Sequence, residues 1–312
     1  MHTIGSTLGW VLFILFVLGM LAVDLLVFNR KAHRPSMKES IAWSVVWIAV
    51  SLAFCGGMAL WVGPTQGLEF LAGYLIEKSL SVDNLFVFLL LFRYFNVPLE
   101  DQHRVLFWGI LGAIVTRAIF ILAGAALLEA FDFMFYLFGG FLVFTAIKMV
   151  VHTDEEVHPD RNIFLRLLRR VVPMTMSFSG HHFFVREGGR LLATPMLGVL
   201  VAVETTDVVF AVDSIPAVFG VTRDPFIVFT SNIFAILGLR ALYFVLAGAL
   251  GALRYLKQGL ALILLFVGVK MLVSDLWHPP IALSLGVIGG ILAIATGASV
   301  LADRYDREHR RD

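Results

Sequence analysis

The chain has 312 residues, a formal net charge of +1, 59% hydrophobic residues and 15% charged residues. A soluble domain carries roughly 25% charged residues, and several apolar runs here exceed the roughly 20 residues that cross a bilayer. Those figures exclude an ordinary soluble domain and predict an all-α, polytopic membrane protein, since a long lipid-embedded backbone must satisfy itself as helix.

The spans are read at about 5–28, 40–62, 69–92, 105–128, 132–151, 194–219, 225–250, 257–276 and 280–301. The first is expected to stay on the protein rather than be cleaved as a signal. It has no basic segment before it, is too long, and runs into NRKAHR. Asp24, near its inner end, reads as a helix-end acid beside Arg30 or as an access residue. The second span carries Cys55, the one cysteine. It cannot form an intramolecular disulfide and reads as a small core residue. The third contains EKSLSVDNLFVF, with Glu77, Lys78, Ser81, Asp83 and Asn84. The fourth carries Arg117, and the fifth ends on Lys148. A linker over 152–193 follows; its His181-His182 pair reads as solvated loop. The sixth span holds VETTDVVFAVDSIPAVF, with Glu204, Asp207, Asp213, Ser214 and Pro216. The seventh brings Asn232 and Arg240, the eighth Lys270, and the ninth leads into a basic tail.

Positive charge tests this layout. Eighteen lysines and arginines fall in loops expected inside, from Arg30 through Arg93, Arg104 and the linker to Arg311, against Arg223 alone outside. Cytoplasmic loops carry such an excess, so nine helices with the amino terminus outside and the carboxyl terminus inside are predicted. The expected divisions are 1–62, two leading helices; 63–151, a three-helix unit; 152–193, the cytoplasmic linker; 194–278, a second three-helix unit; and 279–312, the last helix and tail.

The two units read as copies. Glu77 and Asp83 with Val82 and Asn84 answer Asp207 and Asp213 with Val212 and Ser214. Arg117-Ala118 answers Arg240-Ala241, and Lys148-Met149 answers Lys270-Met271. Three helices per unit is odd, so the second copy enters from the opposite side. This is a 3+3 inverted-topology repeat, an architecture that puts binding sites at mid-membrane between the units.

Acids are costly in lipid and mark function or pairing. Carboxylate, amide and hydroxyl oxygens suit hard or borderline divalent cations. The candidate ligands are therefore Glu77, Asp83, Asn84, Glu204, Asp207, Asp213 and Asn232. Ser81, Ser214, Lys78, Arg117, Arg240 and Asp24 are accessory or gating candidates. Cys55 apart, the spans lack thiolates and imidazoles, which disfavours copper and dedicated zinc sites; Mn²⁺ fits the set best, ahead of Ca²⁺ or Mg²⁺. The plainer reading pairs the acids with Lys78, Arg117, Lys148, Arg240 and Lys270 as structural ion pairs. In a straight helix Glu77, Ser81 and Asn84 share a face, whereas six residues is about 240° of turn. Asp83 and Asp213 therefore face away unless the helices unwind, which Pro216 would favour in span six. Metal and protons compete for such ligands, which suggests proton-coupled antiport.

These motifs, with HRVLFWGILGA, FIVFTSNIFAILGLRALYF and GVKML, resemble the TerC/Alx family of bacterial inner-membrane proteins over essentially the whole chain. The resemblance implies Mn²⁺ export, in a family named for tellurite resistance. It puts Glu77, Asp83, Asn84, Glu204, Asp207 and Asp213 on the family's two acidic motifs. The expected partners are the lipid bilayer and a divalent metal ion. The 28 phenylalanines read as lipid-facing and packing surface, not as a nucleic-acid platform. No nucleophile triad, phosphate loop or zinc-protease motif occurs, so an enzyme is not expected. A non-transporting membrane scaffold for metal or tellurite stress, and a supplier of metal to exported proteins, remain as alternatives. The oligomeric state is left open.

Overall fold

The computed structural model describes residues 3–28, 36–151, 163–175, 182–187, 189–248, 255–277 and 279–309. Eleven helices and one hairpin occur among them: α1 (Thr7–Phe28), α2 (Met37–Trp61), α3 (Pro64–Tyr94), α4 (Leu99–Ala130), α5 (Phe133–Val151), α6 (Ile163–Val171), β1 (Phe184–Glu187), β2 (Arg190–Ala193), α7 (Pro195–Phe219), α8 (Pro225–Leu237), α9 (Leu239–Gly248), α10 (Leu256–Leu272) and α11 (Ile281–His309).

Local chemistry sets the helix starts. Ser36 and Glu39 form a capping box on α2. Proline opens α3, α7 and α8, where its missing N–H leaves no helical bond unmade. The Asp224 carboxylate accepts from the N–H groups of Phe226 (2.8 Å) and Ile227 (3.4 Å) at the head of α8.

Each of the nine expected stretches contains helix. Among the described residues, α2, α4, α5, α7 and α11 are long and apolar enough to span a membrane, and α8 with α9 makes a sixth if that bent pair is one span. This is a multi-pass integral membrane protein. Helix α3 carries Glu69, Glu77, Lys78, Asp83 and Arg93, too many charges for a lipid-facing span. It is instead the inner helix, packed against α2, α7, α8, α9, α10 and α11. Large apolar side chains of α1, α2, α5 and α11 point outward, among them Leu15, Leu52, Phe144 and Ile294. In lipid such surface is covered.

Within the bundle α3 packs on α8, α4 on α7, and α5 on α10. The α5–α10 contact depends on small residues. A Cβ on Gly139 would lie 2.9 Å from the Gly268 carbonyl, and one on Gly268 2.8 Å from the Gly139 carbonyl. Backbones come this close where side chains are small. An aromatic cluster of Trp10, Phe13, Phe54, Phe70, Phe226 and Phe234 ties α1 and α2 to α3 and α8.

Two local features differ from the sequence expectations. Helix α7 runs unbroken through Pro216 to Phe219. The ring removes one bond only a turn from the helix end, so the helix stops soon after instead of unwinding at the acids. The break lies in the seventh stretch, where α8 and α9 meet at Gly238 with a bend of 41°. The second is in the linker, expected as a plain connection. It carries α6 and the antiparallel β1–β2 hairpin, with Phe184 opposite Ala193 and Glu187 opposite Arg190.

Candidate metal-ion site

Four inner helices deliver polar side chains to one buried point. Helix α3 presents Glu77, Ser81 and Asn84, one and two turns apart and all buried. Helix α7 presents Asp207 and, two turns on, Ser214. Asn232 comes from α8, whose thirteen residues are all buried. Helix α4 supplies Arg117, with 0% exposure.

Arg117 is the hub. Its Nη1 donates to Glu77 Oε1, to Asn232 Oδ1 (2.7 Å) and to Ser214 Oγ (3.2 Å), and its Nη2 to Asp207 Oδ1 (3.3 Å). Asn232 Nδ2 donates to Glu77 Oε2 at 2.9 Å, and Ser81 Oγ to Glu77 Oε1 at 3.3 Å. Asn232 thus accepts from the arginine and donates to the glutamate. Two carboxylates and one guanidinium share the site, leaving one negative charge if all are ionised. Two buried polar atoms there, Arg117 Nε and Asp207 Oδ2, have no hydrogen-bond partner, nor has Asn84 Nδ2, one turn beyond Ser81 on α3. Buried polar atoms without partners are rare and call for a reason.

The other candidates lie around this point. Glu204 is half-buried one turn before Asp207, its carboxylate pressed over Gly112 of α4. Asp83 and Asp213 are half-buried, and Asp213 Oδ1 accepts from Thr145 Oγ1 of α5 at 3.1 Å. Lys78 Nζ donates to the Ala235 carbonyl at 3.2 Å, at the end of α8. Arg240 is half-buried at the start of α9. The Asp24 side chain and His181 lie outside the described residues, and His182 is exposed. Cys55 Sγ lies 3.3 Å from the Gly67 carbonyl. No group of three or more His, Cys, Asp or Glu disposed to hold a metal occurs among the described residues. The five acids therefore do not gather into one cluster; Glu77 and Asp207 meet across Arg117.

From the sequence Arg117 is an accessory or gating candidate or, in the plainer reading, an ion-pair partner of the acids, and here it pairs with Glu77 and Asp207; nothing in the sequence picks out Thr145. The signal for Arg117 was its place in mid-span, since a guanidinium at membrane depth must find partners.

Fold and site define a polytopic membrane protein with a charged polar network sealed inside its helix bundle. Residues 62–307 match the family described as "Integral membrane protein TerC family", and the chain belongs to that family. A Myxococcus xanthus protein described as an uncharacterized membrane protein is 52% identical over 303 residues, 97% of this chain and 95% of its own. An Escherichia coli protein named "Putative membrane-bound redox modulator Alx" is 52% identical over 306 residues, 94% of each chain. "Thylakoid membrane protein TERC, chloroplastic" of Arabidopsis thaliana is 44% identical over 266 residues, 85% of this chain and 69% of its own. None of these names states an enzymatic activity. No solved structure matches the chain.

Proposed function

We propose that this protein is an inner-membrane transporter of divalent cations, most suited to Mn²⁺ and working as an exporter, with its amino terminus outside and its carboxyl terminus in the cytoplasm. One observation carries this reading: oxygen ligands from α3, α7 and α8 converge inside the membrane bundle on a single cation, Arg117. That cation belongs to the chain. A divalent ion in its place would neutralise both Glu77 and Asp207, and Asn232, Ser81 and Ser214 would add the neutral oxygens that hard and borderline cations accept. Ca²⁺ and Mg²⁺ accept the same oxygens and rank behind Mn²⁺ in this reading.

In this reading Arg117 holds the site between cargo ions and must move aside to load one. Glu204, one turn from Asp207, and Asn84, with its free Nδ2, flank the path of the ion, while Asp83 and Asp213 act at its margin. Protons and metal compete for carboxylate oxygens, so export would be coupled to proton entry. Nine spans in a 3+3 inverted repeat fit this scheme. The pairings α3–α8, α4–α7 and α5–α10 are preserved when α3 is exchanged with α7, α4 with α8–α9, and α5 with α10.

A second reading has its own support. Arg117 pairs with both Glu77 and Asp207, as structural ion pairs in a non-transporting scaffold would. Manganese tolerance separates the two. Cells carrying Glu77→Gln or Asp207→Asn should lose at least ten-fold in tolerated Mn²⁺ while the variant still accumulates in the membrane. Asp83→Asn and Asp213→Asn extend the test to the half-buried acids. Full tolerance in all four favours the scaffold.

A further inference from the structure

Two cavities lie in line along α3, α4 and α9, on one side of the Arg117 network. The outer, of about 580 Å³, is lined by Leu89, Phe92 and Arg93 of α3, the turn Asn96–Leu99, Gln102 of α4, and Tyr243 and Ala247 of α9. The inner is far smaller, about 20 Å³, and lies one to two turns deeper between Leu85, Phe88, Leu106, Ile110, Leu239 and Asp207. Asp207 is its one charged lining residue, and the Asp207 Oδ2 atom is buried without a partner. A space of that size holds about one water molecule.

A short bridge lines the outer cavity, its residues each four positions along their helices from Phe88, Leu106 and Leu239 of the inner one. Tyr243 of α9, 1% exposed, donates its hydroxyl to Gln102 Oε1 of α4 at 2.8 Å. Its ring meets Phe92 of α3 edge-on at 5.5 Å. Gln102 Nε2 is held by the Val97 carbonyl at 3.1 Å. The bridge therefore joins three helices, and one of them, α9, follows the 41° break at Gly238. On the far side of the network the helices are closed up. A Cβ on Gly73 of α3 would come within 2.8 Å of Ser231 Oγ and 3.0 Å of Val218 Cγ1, and Phe70, Phe219 and Phe234 fill the space beside it with 0–1% exposure.

We propose that cations reach Asp207 from the α3–α4 loop end, through the outer cavity, past a gate made by Tyr243, Gln102 and Phe92. This route rests on the transporter reading and adds its direction of access and its gate. A hydrated divalent ion fits the outer cavity, with the Asn96 and Gln102 amides on its wall. The inner space admits it only after it has shed most of its water, and the unpartnered Asp207 oxygen receives it there. Arg93 at the end of α3 and Arg104 in the first turns of α4 flank the α3–α4 loop, so by the charge rule this end faces the cytoplasm. The conformation thus faces inward with this gate closed, and is shut outward, one step before the loading state of an exporter. Swinging α9 about Gly238 parts Tyr243 from Gln102 and opens the gate.

Thiol labelling tests the route without relying on metal flux. In a Cys55→Ala background, cysteines are placed singly at Asn96, Leu239 and Ser231, and a membrane-impermeant methanethiosulfonate is added to either face of sealed vesicles. Asn96→Cys should label readily from the α3–α4 face, Leu239→Cys at least ten-fold more slowly from that face, and Ser231→Cys from neither. Adding Tyr243→Phe, or Gln102→Met as an independent way to remove the same bond, should speed Leu239→Cys labelling about two- to ten-fold, the change expected from losing one net hydrogen bond. Labelling of Leu239→Cys only from the opposite face, or at a rate indifferent to both gate variants, overturns the route. The expected labelling with no Mn²⁺ flux leaves the water path standing and removes the metal reading.

Discussion

A guanidinium with no exposed atom must be neutralised where it sits, because taking a charge out of water is expensive and only good geometry offsets it. Arg117 meets that demand with two carboxylates, an amide oxygen and a hydroxyl. Removing one partner of such a buried set typically costs about 3–5 kcal/mol. Arg117→Met should therefore lower stability by about that amount, read as a lower melting temperature in detergent. Adding Glu77→Gln should recover part of the loss, since one uncompensated charge is then gone. Equal or greater loss in the double variant would mean that the pair is not coupled. At this scale the sequence was partly legible. Helical spacing put Glu77, Ser81 and Asn84 on one face, and all three are buried. The repeat match drew equal attention to Asp83 and Asp213, yet a six-residue step turns each away from its partner acid, and Asp213 finds Thr145 instead. Which acids share a point depends on the neighbouring helices, and Thr145 carries no signal in its own sequence context.

Helices α8 and α9 form the one bent pair among the described span candidates. The stretch from Pro225 reads as a single apolar run, so its break was not visible as a change of composition. Gly238 provides it. A Cβ there would lie 2.8 Å from Lys78 Nζ and 3.1 Å from Trp47 Cβ, while Lys78 Nζ donates to the carbonyl of Ala235. The crowding holds the bend where it is. Gly238→Ala should stiffen or displace this joint and slow transport several-fold, while the apparent affinity for the ion changes by less than two-fold. A variant with unaltered turnover would show that α9 does not move during the cycle. Pro216 illustrates the opposite case. Proline in a predicted span pointed to unwinding, but so close to a helix end it removes little, and α7 stays whole. Helix α6 and the hairpin were missed because the linker's arginines masked two short apolar patterns, Phe164–Leu167 and Leu191–Leu192, under an overall polar composition.

For the molecule as a whole, composition was the most legible feature: an apolar chain whose few charged residues concentrate in loops and in two inner helices. The pairing of helices across the bundle was not legible in the sequence, since packing partners leave no trace in hydropathy. Everything proposed for the whole molecule reduces to one property, that a divalent cation can replace Arg117 between Glu77 and Asp207 and cross the membrane. The most direct test is ion flux by the purified protein in sealed vesicles, comparing Mn²⁺ with Ca²⁺, Mg²⁺ and Zn²⁺ while lumenal pH is followed. The account predicts saturable Mn²⁺ movement exceeding that of the other three ions, a proton flow in the opposite direction, and at least a ten-fold loss of both in Asp207→Asn. Vesicles that pass no Mn²⁺, or that pass it equally well with Asp207→Asn, would contradict it.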